Sequence, residues 1–449
     1  MKEQKKKHLF TNRQLAALLI PLALDQLLNS FMGTVDTLIV SNIGSAAISA
    51  VSLVDAINIL VVEAFLALAA GGTVVCSQYL GNKDVEKANK AAGQLVFVTF
   101  FLSLLMAVIC IAFHEPILRA IFGKVEKEVM DNAKIYFLFS AVAFPFIALY
   151  DDGASILRAQ ENSRLPMQIS IIANVLNVVL NLLFVWGFHL GVGGSACATM
   201  LARAFAMAAV LYELRKPKWT VHLKSYFSIR PDWDQIRRIL KIGIPSGIEN
   251  SMFQFGKLAI QSTVSTLGTT AIAAQAMTNM LEMLNGTAVI GVGIGLMTVV
   301  GQSLGAGRKD EAVYYMKKLM IFSEVFLIAC CAVVYVLARP ITMIGGMEAK
   351  SAEMCLDMMF WITIVKPIVW MFAFIPAYGM RAAGDVKFSM ITSCITMWTF
   401  RFCLCVYLIR VCGMGPMAVW IGMFTDWTVR AIVFGLRFKS GKWMEHKVV

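Results

Sequence analysis

The chain has 449 residues, 58% of them hydrophobic and 15% charged, with a mean hydropathy of +0.71. Soluble domains carry about a quarter charged residues, so this composition excludes an ordinary soluble protein and calls for lipid to take up the apolar surface. The net charge of +12 does not indicate nucleic acid, because its placement along the chain follows membrane topology instead.

A span of the hydrocarbon core takes about 20 apolar residues, and the connections between spans are short. Hydropathy predicts twelve spans, beginning near residues 15, 47, 91, 133, 165, 192, 238, 270, 314, 354, 388 and 414. With the N-terminus inside, 28 of the 40 Lys and Arg fall in inside segments, seven in outside segments and five within spans. Basic residues accumulate on the cytoplasmic side, so we expect both termini to be cytoplasmic, in a multi-pass protein of the inner (plasma) membrane. The N-terminal Lys2, Lys5, Lys6 and Lys7 lead into an apolar run long enough to span and without a small-residue cleavage site. No cleaved secretory signal is therefore expected. The ten cysteines include no C-x-x-C pair and read as small buried hydrophobes.

In the first span, Asp25, Asn29, Met32 and Asp36 recur at helical spacing and share one face. An ionisable group at membrane depth costs about 2.5–3.5 kcal/mol on insertion scales, which makes Asp36 a functional candidate. A carboxylate held there takes a proton or a hard cation. The second span carries Asp55, Asn58 and Glu63, and the fourth carries Asp151 and Asp152. In the fifth span Asn174, Asn177 and Asn181 stack three amides on one helix face. A basic, aromatic linker at 213–241 separates an N-terminal lobe, 1–212, from a C-terminal lobe, 242–449, and suits anionic lipid headgroups.

The seventh span presents a polar stripe of Asn250, Gln254, Lys257 and Gln261, with Glu249 beside it. These five are candidate substrate-binding residues. Asn279, Glu282 and Thr287 follow in the eighth span, and Lys366, Arg401, Asp426 and Arg430 populate the last three. Pro21, Pro145, Pro245, Pro367 and Pro376 interrupt spans, where each removes a backbone donor.

The two halves are copies. At an offset of 224, Pro21 meets Pro245, Phe31 meets Phe255, Gly44 meets Gly268, and Gln78-Tyr79-Leu80-Gly81 meets Gln302-Ser303-Leu304-Gly305. An offset of 223 then aligns Arg158-Ala159 with Arg381-Ala382. Six spans per copy is an even number, so the repeats are parallel. Asp36 is matched by Ile260, and the seventh-span stripe is displaced by one residue, about 100° of helix rotation, from its first-span counterpart.

Three stretches carry a family likeness: MGTVDTLIVSNIGSAAISA from Met32 to Ala50, SQYLGNKDVEKA ending at Ala88, and its second copy GQSLGAGRKDEA ending at Ala312. They resemble the MATE (multidrug and toxic compound extrusion) transporters, with NorM-like and DinF-like bacterial branches. The resemblance implies an all-α membrane protein of twelve helices in two lobes, exporting organic compounds in exchange for Na⁺ or H⁺. It also implies a cation site in the N-terminal lobe at Asp36, Asn177 and Asn181, with Thr199 from the sixth span. DinF-like relatives carry Asp where Asn181 stands. The acidic residue of NorM-like relatives on the tenth helix is replaced here by Trp370.

The expected activity is cation-coupled antiport of amphipathic organic compounds by alternating access, in a monomer, with no cofactor beyond the coupling ion and no nucleic-acid partner. A flippase for lipid precursors is the alternative within the same superfamily. An integral membrane enzyme is the alternative outside it, and against it no Walker motif, His metal pair or complete aspartate-rich motif is present.

Overall fold

All twelve expected spans are helical in the computed structural model, which describes residues 8–41, 43–123, 125–226, 229–446 and 448–449. The N-terminal basic cluster at Lys2 to Lys7 lies outside the described residues. The first half contains α1 (Asn12–Ser41), α2 (Ser45–Gly81), α3 (Val85–Ala112), the short α4 (His114–Phe122), α5 (Lys127–Ala159), α6 (Arg164–Asn181) and α7 (Gly191–Leu214). The second contains α8 (Trp233–Val264), α9 (Thr269–Gly305), α10 (Lys309–Ile344), α11 (Ala349–Ala382), α12 (Val386–Thr396), α13 (Leu404–Arg410) and α14 (Met417–Ser440). A π-helical turn, Met397–Cys403, joins α12 to α13 as one span, and another, Leu182–Gly187, extends α6. Eleven helices among the described residues are long and apolar enough to cross a membrane. The 32-residue α8 supplies the twelfth. Its apolar character is diluted by the polar stripe found in the sequence.

The duplication extends to individual hydrogen bonds. Helices α2 and α9 both have 37 residues. After the first, Asn82 N–H donates to Gln78 O at 3.0 Å and Asp84 N–H to Tyr79 O at 3.0 Å; after the second, Ala306 N–H donates to Gln302 O and Arg308 N–H to Ser303 O, both at 2.9 Å. Such bonds satisfy carbonyls that a helix C-terminus leaves without partners. The turn requires a left-handed residue, which is Lys83 (φ 60°) in the first copy and Gly307 (φ 71°) in the second. A side chain in that region costs about 1–2 kcal/mol that glycine escapes. Lys83 is exposed, so Lys83→Gly should stabilise the protein by about 0.5 kcal/mol, the relieved strain less the entropy that a glycine adds to the unfolded chain. Thermal unfolding in detergent reads this as a rise in midpoint; an unchanged or lower midpoint counts against the strain.

Lipid is as apolar as leucine, so helices in a bilayer associate through close packing rather than hydrophobic exclusion. On α5, Val129, Ala133, Phe137, Ala141, Phe144 and Ala148 recur every three or four residues, and they pack with Ala50, Val54 and Phe65 of α2. Phe65 and Phe144 meet edge to face at 6.3 Å. Between α2 and α8 the backbones approach so closely that a Cβ on Gly71 would lie 2.7 Å from the Ile239 carbonyl oxygen.

The chain forms two compact units, Arg13–Gly247 and Ile248–Val448, the latter joined by residues up to Asn12. The division therefore falls inside α8, just after Pro245. In the second unit, Leu9 N–H donates to Glu311 at 2.8 Å, Phe10 N–H donates to the Tyr315 hydroxyl at 2.8 Å, and His8 stacks on Tyr314. In the first unit, the connection after α7 is pinned by the amides of the half-buried Gln160 and the buried Gln94. Gln160 exchanges two hydrogen bonds with the Val221 backbone, both at 3.0 Å. Gln94 donates to Arg230 O at 2.7 Å and accepts from Asp232 N–H at 3.0 Å. A hydrogen bond and the charge of Lys90 hold the Asp232 carboxyl below the usual carboxylate range.

Candidate functional site

In the Arg13–Gly247 unit, α1 and α6 lay their polar faces together. Arg158 of α5 pairs with Asp25 at 3.4 Å, and Asn29 donates to Asp25 at 3.2 Å. Asn174 and Ser170 then donate to the Asn29 carbonyl at 3.1 and 3.3 Å. Two turns further along α1, Asn177 Nδ2 lies 3.1 Å from both carboxylate oxygens of Asp36. Asn181 Nδ2 donates to Asn177 Oδ1 at 2.9 Å and reaches Asp36 at 3.5 Å. The Thr199 hydroxyl of α7 donates to Asn177 Oδ1 at 3.4 Å. Asp36, Asn177, Asn181 and Thr199, the four residues of the expected cation site, thus lie in one constellation.

This set supplies one charge and several neutral oxygens. Asn181 is fully buried, and its Oδ1 has no hydrogen-bond partner. A buried acceptor without a donor costs about 1–3 kcal/mol, and a cation or a proton donor would relieve that cost. Carboxylate, amide and hydroxyl oxygens are ligands for hard cations. Among the described residues no cluster of three or more His, Cys, Asp and Glu that could hold a metal ion is present.

Arg203 of α7 and Asp55 of α2 lie close enough to act electrostatically on Asp36. Asp55 is engaged by Asn58, at 3.2 Å, and by the Tyr136 hydroxyl, and Asn58 also donates to Ser140 at 3.1 Å. Arg203 was not among the sequence candidates. A signal for it existed, since it follows Thr199 by four residues and so shares its helix face. Asp36, Asp55 and Arg203 thus place two carboxyl groups and one guanidinium within electrostatic reach of one another.

The seventh-span candidates are distributed differently. Asn250 and Gln254 are half-buried, while Lys257 and Gln261 are exposed. Lys257 Nζ lies 4.9 Å above the Phe253 ring. Glu249 turns inward: it pairs with Arg381 of α11 at 2.9 Å and accepts from Ser393 and Ser389 of α12 at 2.7 and 3.2 Å. Glu249 and Arg381 are the repeat partners of Asp25 and Arg158, so each half carries the same buried ion pair. At Trp370, which stands where NorM-like relatives carry an acid, the indole covers Lys366, whose ammonium binds the Glu282 carboxylate and its carbonyl.

Twelve spans in duplicated halves, with the in-span carboxylate of Asp36 held by the amides of Asn177 and Asn181, define a helical membrane transporter. The MatE family model matches residues 21–183 and again 245–407, two stretches set apart by the same offset of 224. The chain belongs to the MatE family. It is 24% identical to a "Probable multidrug resistance protein NorM" of Thermotoga maritima, over 97% of this chain and 94% of the relative. It is 26% identical to an "Uncharacterized transporter YisQ" of Bacillus subtilis, over 95% and 93% of the two chains. Its fold matches a multidrug resistance MATE family transporter of the MOP superfamily in the outward-facing conformation, with a TM-score of 0.89 at 18% identity, over 96% of both chains.

Proposed function

We infer that this transporter is a cation-coupled antiporter that exports amphipathic organic compounds across the cytoplasmic membrane; the Thermotoga maritima relative is named a probable multidrug resistance protein. The observation that carries this reading is the Asp36 constellation, a single carboxylate held by Asn177 at 3.1 Å beside the partnerless Oδ1 of Asn181. Na⁺ or H⁺ entering from outside binds Asp36, with Asn177, Asn181 and Thr199 orienting it. Binding favours one of two orientations of the lobes, 1–212 and 242–449, joined by the 213–241 linker, and a ligand shifts such an equilibrium only through differential affinity. Asn250, Gln254, Lys257 and Gln261 contact the organic substrate. The working unit is a monomer with both termini cytoplasmic.

The test is efflux of amphipathic dyes from proteoliposomes carrying an imposed Na⁺ or H⁺ gradient. Acceleration by one gradient names the coupling ion. Dye movement indifferent to both gradients, with protein correctly inserted, rejects antiport.

A further inference from the structure

Acids within the spans have two kinds of neighbour. Asp25, Glu249, Glu282 and Asp426 each pair with a lysine or an arginine. Asp55 of α2 meets neutral groups instead: Asn58 Nδ2 at 3.2 Å and the Tyr136 hydroxyl of α5. The same Nδ2 donates to the Ser140 hydroxyl of α5 at 3.1 Å. The Asn58 Oδ1 is buried and has no hydrogen-bond partner. An acceptor stripped of water without gaining a donor is a net cost to the fold, so packing alone does not account for the arrangement. The set also repeats the composition of the Asp36 constellation, in which Asn181 supplies the idle amide oxygen and Thr199 the hydroxyl.

These groups are accessible. Asp55, Asn58, Tyr136 and Ser140 are each partly exposed. An open groove of about 780 Å³ lies between the beginning of α2 and that of α5, lined by Ser45, Ser49, Ser52 and Ile48 on one side and by Glu126 and Val129 on the other. The three serines follow an i, i+4, i+7 spacing and so share one helix face. Among the described residues no lysine or arginine lines the groove. Asp55 follows Ser52 by about one helix turn, and Tyr136 follows Val129 by about two. Tyr136 also packs in one cluster with Ile48, so its ring stands between the groove and the carboxyl group that its hydroxyl meets. Hydroxyls and a carboxylate without a neighbouring base suit a small cation and not an anion.

We propose that Asp55, Asn58 and Ser140 form a second position for the coupling cation, a hard monovalent ion such as Na⁺, beneath this groove and separate from Asp36. The Asp55 carboxylate supplies the charge, and the Asn58 and Ser140 oxygens replace water around the ion. A half-turn of the Asn58 amide exchanges its nitrogen for its oxygen, so one side chain donates to the empty carboxylate and ligates the bound ion. The Tyr136 hydroxyl holds the carboxylate in place. Asp36 and Asp55 are within electrostatic reach of each other, so an ion at one position opposes an ion at the other and the two are filled in turn. The proposal rests on the export reading above and adds a second ion site to it.

The test is equilibrium binding of radiolabelled Na⁺ to the purified full chain in detergent, by scintillation proximity, with choline as the replacing cation. Monodisperse Asp36→Asn protein, its own position gone, should still bind Na⁺. Adding Asp55→Asn should weaken that remaining binding roughly a hundredfold, through loss of the carboxylate's attraction. Adding Ser140→Ala instead should weaken it roughly tenfold, through loss of one ligand oxygen. Ser140→Ala removes a single partly exposed hydroxyl, so it decides the matter even if the double carboxyl variant does not fold. The proposal is overturned if the parent binds no Na⁺, if Asp36→Asn binds none, or if neither added change weakens what remains. The export reading fails separately, through dye efflux indifferent to both gradients.

Discussion

The Asp36→Asn variant should fold, reach the membrane and bind organic substrate, yet lose gradient-driven export. Among Asp36, Asn177, Asn181 and Thr199, only Asp36 is ionisable, so the other three orient an ion without neutralising it. At about 4 Å and an effective dielectric constant of about 20, the carboxylate contributes about 4 kcal/mol to holding a monovalent cation. Its loss therefore weakens ion binding by about a thousandfold. An asparagine has nearly the same shape and can accept from Asn177, which already donates to the carboxylate at 3.1 Å. The measurement is dye efflux against an imposed Na⁺ or H⁺ gradient, parent beside variant, at matched protein density. Export at the parent rate would move coupling away from this site and towards Asp55.

Glu249→Ala should be the most destabilising of the substitutions considered. Glu249 is 8% exposed and is the carboxylate that balances Arg381 in the buried pair of the second half. Removing one partner of a buried ion pair leaves an uncompensated charge and costs about 3–5 kcal/mol. Glu249→Gln keeps acceptors for Ser389 and Ser393 and should lose less. A double variant, Glu249→Ala with Arg381→Met, should recover much of the loss, since both charges then leave together. Asp25→Ala in the first half should follow the same pattern more weakly, because its pair with Arg158 is longer, at 3.4 Å against 2.9 Å. Thermal unfolding in detergent reads all of these. If Glu249→Ala unfolds at the parent temperature but no longer binds dye, then Glu249 serves the substrate rather than the fold.

These expectations separate two kinds of residue that look alike in a sequence. Asp36 and Glu249 are both in-span acids, and hydropathy alone ranks them equally. Their neighbours divide them: Glu249 meets a guanidinium, whereas Asp36 meets amides and leaves a nearby oxygen unpaired. The duplicated pairs, Asp25 with Arg158 and Glu249 with Arg381, were visible in the sequence as matched positions. That the members of each pair touch was not.

The sequence by itself determined the spans, their number and the duplication. Each of these follows from local composition: the length of an apolar run is set by the bilayer, and a repeat is a property of residue order. It also pointed to Asp36 and to the amide face of Asn174, Asn177 and Asn181, because regular helical spacing shows which face each occupies, whereas their grouping with Thr199 was what the family resemblance implied. Only the tertiary structure decided the partners. Arg203 near Asp36, Arg401 packed on Phe253, and Leu9 and Phe10 bonded to Glu311 and Tyr315 all depend on how each helix is rotated and set against its neighbours. Helix rotation is fixed by close packing among small and large side chains distant in sequence, such as Gly422 against the Arg401 backbone. Periodicity within one helix carries no record of that packing.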